Sequence, residues 1–181
     1  MKHNILFTGT TGAGKTTAIS AVSEITALST DVTNYDCTVK KNTTTVGLDY
    51  GEMTLANGDT LRLYGTPGQT RFDFMWEILS RGALGLIILI DNQSSDPLTD
   101  LDTYLNGFKR LIADTACVVV ICRMDTHPDP TIDCFAQRLE KHGVICPVLA
   151  ADVRDPVQVA ELLELLMMQL ESKLDRANYE K

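Results

Sequence analysis

The sequence predicts a three-layer α/β domain built on a mostly parallel sheet, and three observations predict it. Short apolar runs alternate with amphipathic stretches along the whole chain. Two of those runs, Leu84 to Ile90 and Cys117 to Ile121, are continuously apolar, as strands covered on both faces must be. A glycine-rich segment stands between the first strand-like run and the first helical pattern, where α/β sheets bind ligands.

Taken in order, Ile5 to Thr8 reads as the first strand and Ala18 to Leu28 as the first helix. Leu48 to Leu55 and Leu61 to Tyr64 flank Asn57-Gly58-Asp59, so this pair reads as a hairpin and supplies the single antiparallel strand. A helix near Thr70 to Arg81 precedes the buried strand Leu84 to Ile90. A second helix, from about Pro97 to Ala113, precedes the strand Cys117 to Ile121. A helix over Thr131 to Lys141 leads to a strand over Val144 to Leu149. The last helix sets Val159, Leu162, Leu163, Leu166, Leu170 and Leu174 on one face. Ser29 to Thr45 is polar, threonine-rich and long for a connection, so it reads as either a disordered segment or a functional loop, and its place beside the glycine-rich segment favours function.

Composition narrows the partners. The 181 residues fit one domain, expected over 1–181, and 44% hydrophobic content suffices for a core without staples. A net charge of −8 without a Lys/Arg cluster points away from nucleic acid and from a polybasic membrane contact. Five cysteines without a CxxC pair indicate neither a disulfide framework nor a zinc site, so a reducing cytoplasmic setting is expected. No signal peptide, membrane-spanning run, myristoylation glycine or prenylation cysteine is legible, and no direct membrane anchor is expected.

Gly9-Thr10-Thr11-Gly12-Ala13-Gly14-Lys15-Thr16 fits G-x-x-x-x-G-K-[ST], after a strand and opening a helix. Such a loop turns successive N–H groups toward phosphates, and the helix N-terminus adds partial positive charge. Gly12, Ala13, Gly14, Lys15, Thr16 and Thr17 are therefore the expected phosphate-side contacts, with Lys15 on the β- and γ-phosphates and Thr16 on Mg²⁺. ATPases, kinases and GTPases all remain open on this motif alone.

Further along stand Gly65-Thr66-Pro67-Gly68-Gln69, Thr43-Thr44-Thr45-Val46-Gly47, and Cys122-Arg123-Met124-Asp125. In that order the segments resemble switch II, switch I and the base-reading loop of Ras-like small GTPases. The G-T-P-G-Q form resembles the bacterial MglA type, whose relatives are often paired with roadblock-domain proteins. The resemblance implies a P-loop NTPase G-domain, with a six-stranded sheet and one antiparallel strand, that binds GTP/GDP with Mg²⁺. It assigns Thr45 to Mg²⁺ and the γ-phosphate, Gly68 to a γ-phosphate hydrogen bond, and Gln69 to the attacking water. Catalysis would then rest on Gln69, Lys15 and Thr45. Asp125 can accept from guanine N1–H and the exocyclic amine, Arg123 can lie along the base, and Ala151 offers a backbone N–H to the guanine oxygen.

Three departures qualify the expected activity. Gly65 stands where the family has its Walker B aspartate, leaving Asp49 as a speculative substitute. No arginine adjoins Thr45; Lys40 and Lys41 are the nearest bases, and Arg71, beside the glutamine, is a local candidate that reads more as structural. Slow hydrolysis stimulated by a GTPase-activating or roadblock-domain protein, with effector proteins reading the switch, is the expectation. Cys122 replaces an asparagine that ties the P-loop to the base loop, and cannot make its hydrogen bonds. A non-catalytic guanine-nucleotide scaffold and an ATP-dependent enzyme are the alternatives. Trp76, with Phe72, Phe74 and Met75, reads either as core or as a partner-facing patch.

Overall fold

A computed structural model describes residues 2–29, 48–68 and 73–179. Seven strands form one sheet: β1 (Lys2–Gly9), β2 (Leu28–Ser29), β3 (Asp49–Thr54), β4 (Thr60–Gly65), β5 (Ala83–Asp91), β6 (Ala116–Cys122) and β7 (Val148–Ala150), in the order β2-β3-β4-β1-β5-β6-β7. Apart from the two-residue edge strand β2, this is the expected six-stranded G-domain sheet. β3 runs antiparallel to both its neighbours, and β4, β1, β5, β6 and β7 pair in parallel.

The apolar strands sit where they can be covered twice. β6 is buried at every residue, and β5 from Gly85 through Ile90. On one face α1 (Lys15–Val22) and α6 (Pro156–Tyr179) pack with Ile19, Val159, Leu162, Leu163 and Leu166 against Ile5, Phe7, Ile87 and Val118. On the other face lie α3 (Pro97–Gly107), α4 (Lys109–Asp114) and α5 (Ile132–Lys141), bringing Tyr104, Leu105, Phe108 and Phe135 onto Leu6, Leu86, Ile88 and Val119. Each such side chain, fully buried, stabilises the fold by about 1.5–3 kcal/mol relative to exposure.

Several boundaries differ from the periodicity, each for a local reason. α1 begins at the P-loop lysine and stops at Val22, where Ser23 turns to extended backbone while its N–H still bonds the Ile19 carbonyl. The stretch 97–113 is two helices meeting at Phe108, which closes one and opens the other. α3 starts as its sequence dictates: the Asp96 carboxylate accepts from the Thr99 N–H at 3.1 Å, and Pro97 occupies the first turn. The strand read over 144–149 shrinks to Val148–Ala150 because Pro147 has no N–H to give a ladder; its carbonyl still accepts from Val119 N–H at 2.9 Å. The hairpin turn forms on Asn57-Gly58, with the Asp59 N–H donating to the Asn57 side-chain oxygen at 2.9 Å. Of the helix read over 70–81, α2 covers Asp73–Ser80. No helix among the described residues is long and apolar enough to cross a membrane.

Candidate functional site

β1 delivers the chain to Gly9 at the carboxyl edge of the sheet, and the loop returns it into α1 through Gly14, whose φ of 101° is open to glycine but strained for other residues. Ala18 N–H bonds the Gly14 carbonyl at 2.8 Å and Ala13 N–H the Thr10 carbonyl at 3.1 Å, so the loop is wound tightly onto the helix. Lys15 is buried and its ammonium donates to the carbonyls of Gly9 at 2.7 Å and Thr10 at 2.8 Å. The cation is thus held over the loop. The Thr16 hydroxyl donates to Asp49 Oδ2 at 2.6 Å.

A cavity of about 660 Å³ opens beside this loop, bounded by Ala13, Gly14 and Thr17 on the P-loop side and by Arg123, Asp125 and Ala151 beyond the ends of β6 and β7. Segments far apart in sequence meet here because parallel strands end on one edge. Arg123 has a left-handed φ of 61°; its guanidinium pairs with Asp91 and also donates to the Gly12 carbonyl at 3.2 Å. This last bond ties the segment after β6 to the P-loop, the task that the resemblance gives to an asparagine at position 122. Cys122 itself is buried, and burial pushes its thiol up to about 12. Ala151 N–H donates to the Ile121 carbonyl at 3.3 Å, so the amide directed by the resemblance at the guanine oxygen has a strand partner, although a long one.

Gly68 lies against the P-loop: a Cβ there would stand 2.5 Å from the Thr11 nitrogen and 2.8 Å from Lys15 Nζ. Its carbonyl accepts from the Tyr104 hydroxyl at 3.0 Å, and the Pro67 carbonyl accepts from Trp76 Nε1 at 3.2 Å. Trp76 is buried between Tyr104 and Phe108, with each ring centroid 5.1 Å away, while Phe74 and Ile78 on the same helix are exposed. The α2 segment therefore splits, its tryptophan in the core and its neighbours outward. Thr45 and Gln69, like Lys40, Lys41, Arg71 and Phe72, lie outside the described residues.

Three participants escape a reading by motif. Asp91 ends β5 and Asn92 follows it; Asp91 pairs with Arg123, and buried Asn92 donates to the carbonyls of His127 at 2.6 Å and Pro130 at 3.1 Å, shaping the loop after β6. Their signal is a polar pair ending a buried strand. Tyr104, in mid-helix, carries no such signal.

A family described as "conserved hypothetical ATP binding protein" matches residues 30–136, more than half of the chain. The chain belongs to that family. That family's match begins beyond the P-loop and takes in β3 to β6 and the first half of α5. This family member is also similar to Ras-related protein Rab-18 of Lymnaea stagnalis, 28% identical over 171 residues, covering 90% of this chain and 79% of that protein. It is 24% identical over 140 residues to Ras-related protein Rab-3 of Caenorhabditis elegans, covering 73% of this chain and 64% of the relative. To Ras-related protein Rab-18-B of Danio rerio it is 28% identical over 131 residues, covering 68% and 64%. The chain spans less than two thirds of the length of the latter two.

Proposed function

We propose that the chain is a guanine-nucleotide switch, a single G domain over residues 1–181 that binds GTP and GDP with Mg²⁺ and hydrolyses GTP slowly. The observation that carries this reading is the cavity joining the P-loop, at Gly14 and Thr17, to the carboxylate of Asp125. Distant similarity to Ras-related proteins supports it further.

In this reading the amides of Gly12 to Thr17 and the Lys15 ammonium cradle the phosphates, Lys15 exchanging its two carbonyl partners for phosphate oxygens. The Thr16 hydroxyl beside the buried Asp49 carboxylate is an oxygen donor set suited to Mg²⁺, with Thr45 as a further ligand. Bound Mg²⁺ supplies charge neutralisation on the β- and γ-phosphates. Gln69 orients the attacking water and Gly68 donates its N–H to the γ-phosphate, so loss of that phosphate frees both switch segments. Asp125 selects guanine by accepting two donors that adenine does not present, with Arg123 along the base. With no arginine adjoining Thr45, hydrolysis depends on a partner, a GTPase-activating or roadblock-domain protein, and effectors read the loaded state. The G-T-P-G-Q segment supports a bacterial MglA-type switch.

A second reading, ATP use, is favoured by the description of the family. Competition separates them. GTP is expected to displace fluorescent GDP from the purified chain, whereas ATP leaves it bound; equal displacement overturns the guanine reading. For hydrolysis, Gln69→Leu is expected to abolish single-turnover cleavage of γ-labelled GTP, with a stimulating partner present, while GDP binding is preserved. Unchanged cleavage removes Gln69 from the mechanism.

A further inference from the structure

Two cysteines face each other where Pro147 cuts the β6–β7 ladder short. β6 and β7 pair in parallel with Val119 opposite Val148, and the Val119 N–H still bonds the Pro147 carbonyl at 2.9 Å. Two residues further back along each chain, the same register sets Cys117 beside Cys146. Side chains two apart on a strand share a face, and both cysteines pack with Val119 and Val148 into the cluster beneath α3, α4 and α5. Neighbouring strands lie about 4.7–4.9 Å apart, within the roughly 4.4–6.8 Å between Cα atoms that a disulfide spans. The two thiols are close enough to share a hydrogen bond.

Their surroundings differ. Cys117 is buried, at 3% exposure. Cys146 is half-buried and lines a cavity of about 450 Å³ with Leu139, Gly143, Val144 and Ile145. Ile145, next in the chain, stands fully in solvent, so a small molecule approaches the pair from the side of Cys146. Lys173 of α6, whose ammonium donates to the Thr115 carbonyl at the foot of β6, adds positive charge near both thiols. The hydrogen bond from Cys117, and then this ammonium, hold the Cys146 thiol below its ordinary value against the effect of burial. Cys117, which donates that bond and is the more desolvated, is pushed well above it. An accessible thiolate backed by a second thiol is the arrangement of a redox-active cysteine and its resolving partner.

We propose that Cys146 and Cys117 are a modification site, a dithiol that hydrogen peroxide closes to a disulfide between β6 and the segment entering β7. The Cys146 thiolate attacks one peroxide oxygen and the O–O bond breaks. Cys146 becomes a sulfenic acid, and the departing hydroxide takes up a proton to leave as water. The Cys117 sulfur then attacks the Cys146 sulfur, the S–O bond breaks, and the hydroxyl leaves with the Cys117 proton as a second water. Two thiols are oxidised and one peroxide is reduced. An external thiol reverses the closure by exchange. The covalent link fastens the strands where Pro147 has no N–H to offer, and it closes a loop that carries Arg123 and Asp125. None of this depends on the nucleotide reading. The rival account, in which both cysteines serve only as small apolar side chains of the core, needs no closure.

The test treats the full chain, reduced and freed of reductant, with graded hydrogen peroxide. Remaining thiols are blocked with iodoacetamide in denaturant, and the peptides are mapped by mass spectrometry with and without dithiothreitol. Cys117 and Cys146 are expected to disappear together from the alkylated set and to reappear as one linked peptide that dithiothreitol separates. Cys134, also half-buried and bonded to the Thr131 hydroxyl at 3.6 Å, is the internal reference and stays alkylated at that dose. In Cys117→Ala the resolving sulfur is gone, and Cys146 is expected to accumulate as a sulfenic acid that dimedone captures. Circular dichroism checks that this variant folds, and the wild-type map decides the matter if it does not.

A wild-type map without the linked peptide at any dose overturns the proposal, as does loss of Cys146 from the alkylated set while Cys117 remains. A link from Cys146 to any other cysteine overturns it too. Equal yield of the Cys117–Cys146 link when peroxide is added in denaturing urea would show that the fold does not set the pair, and has the same consequence.

Discussion

The Arg154 guanidinium grips both oxygens of Asp152, at 2.8 Å from Nε and 2.8 Å from the terminal nitrogen, and with the Arg154 N–H it pulls the carboxyl down from 3.8 to about 2. Since the folded value is depressed, whatever the pair contributes is present above the unfolded value and is lost as pH falls through the folded one. The pair lines the cavity, so its charge pattern is constant from neutral pH down to the window between 3.8 and about 2. Carboxyl-carbon NMR should therefore find Asp152 titrating near 2, and Arg154→Ala should return the midpoint toward 3.8. A midpoint already at 3.8 in the wild type would show that the fork does not persist in solution. At the same scale the long Arg123 side chain spans from the end of β6 to the Gly12 carbonyl, a link that on the proposed reading stands in for the asparagine that the resemblance places at position 122.

At the scale of elements, α2 is fastened to α3 by side chains that converge on the backbone of Pro67 and Gly68. Tyr104 contributes a single hydroxyl to that fastening, bonded to the Gly68 carbonyl at 3.0 Å. Burial raises its pKa well above the ordinary tyrosine value, so the hydroxyl stays a donor throughout the working range of pH. Tyr104→Phe removes the donor and leaves the ring against Trp76. The expected cost is about 0.5–1.5 kcal/mol, seen as a lower urea midpoint with an unchanged slope. A loss of several kcal/mol, or a changed slope, would mean that the ring packing had been disturbed as well.

Across the whole molecule, legibility followed how local the governing physics was. The buried runs of β5 and β6 announce themselves because both faces are covered. The P-loop is equally plain, since its geometry depends on glycines adjacent in sequence. What could not be read was set by contacts between distant segments. The break at Phe108 and the inward turn of Trp76 depend on α2, α3 and the sheet meeting in one cluster. The link from Thr16 to Asp49 depends on a register that only the folded hairpin fixes, so the sequence offers Asp49 only as a speculative substitute for the aspartate absent at position 65. The motif that marks Thr45 and Gln69 has its counterpart in segments outside the described residues, and their roles rest on the resemblance and its tests.

The single tryptophan of the chain lies at the seam between the part of the molecule proposed to move and the part that does not. Its indole N–H holds the carbonyl of Pro67, while its ring rests on Phe108 of the fixed layer, 5.1 Å between centroids. Emission from an indole depends on its hydrogen bond and on the water around it. On the proposed reading the protein therefore carries an optical gauge of its own at the root of the segment proposed as switch II, expected to follow loading and discharge of nucleotide without a dye.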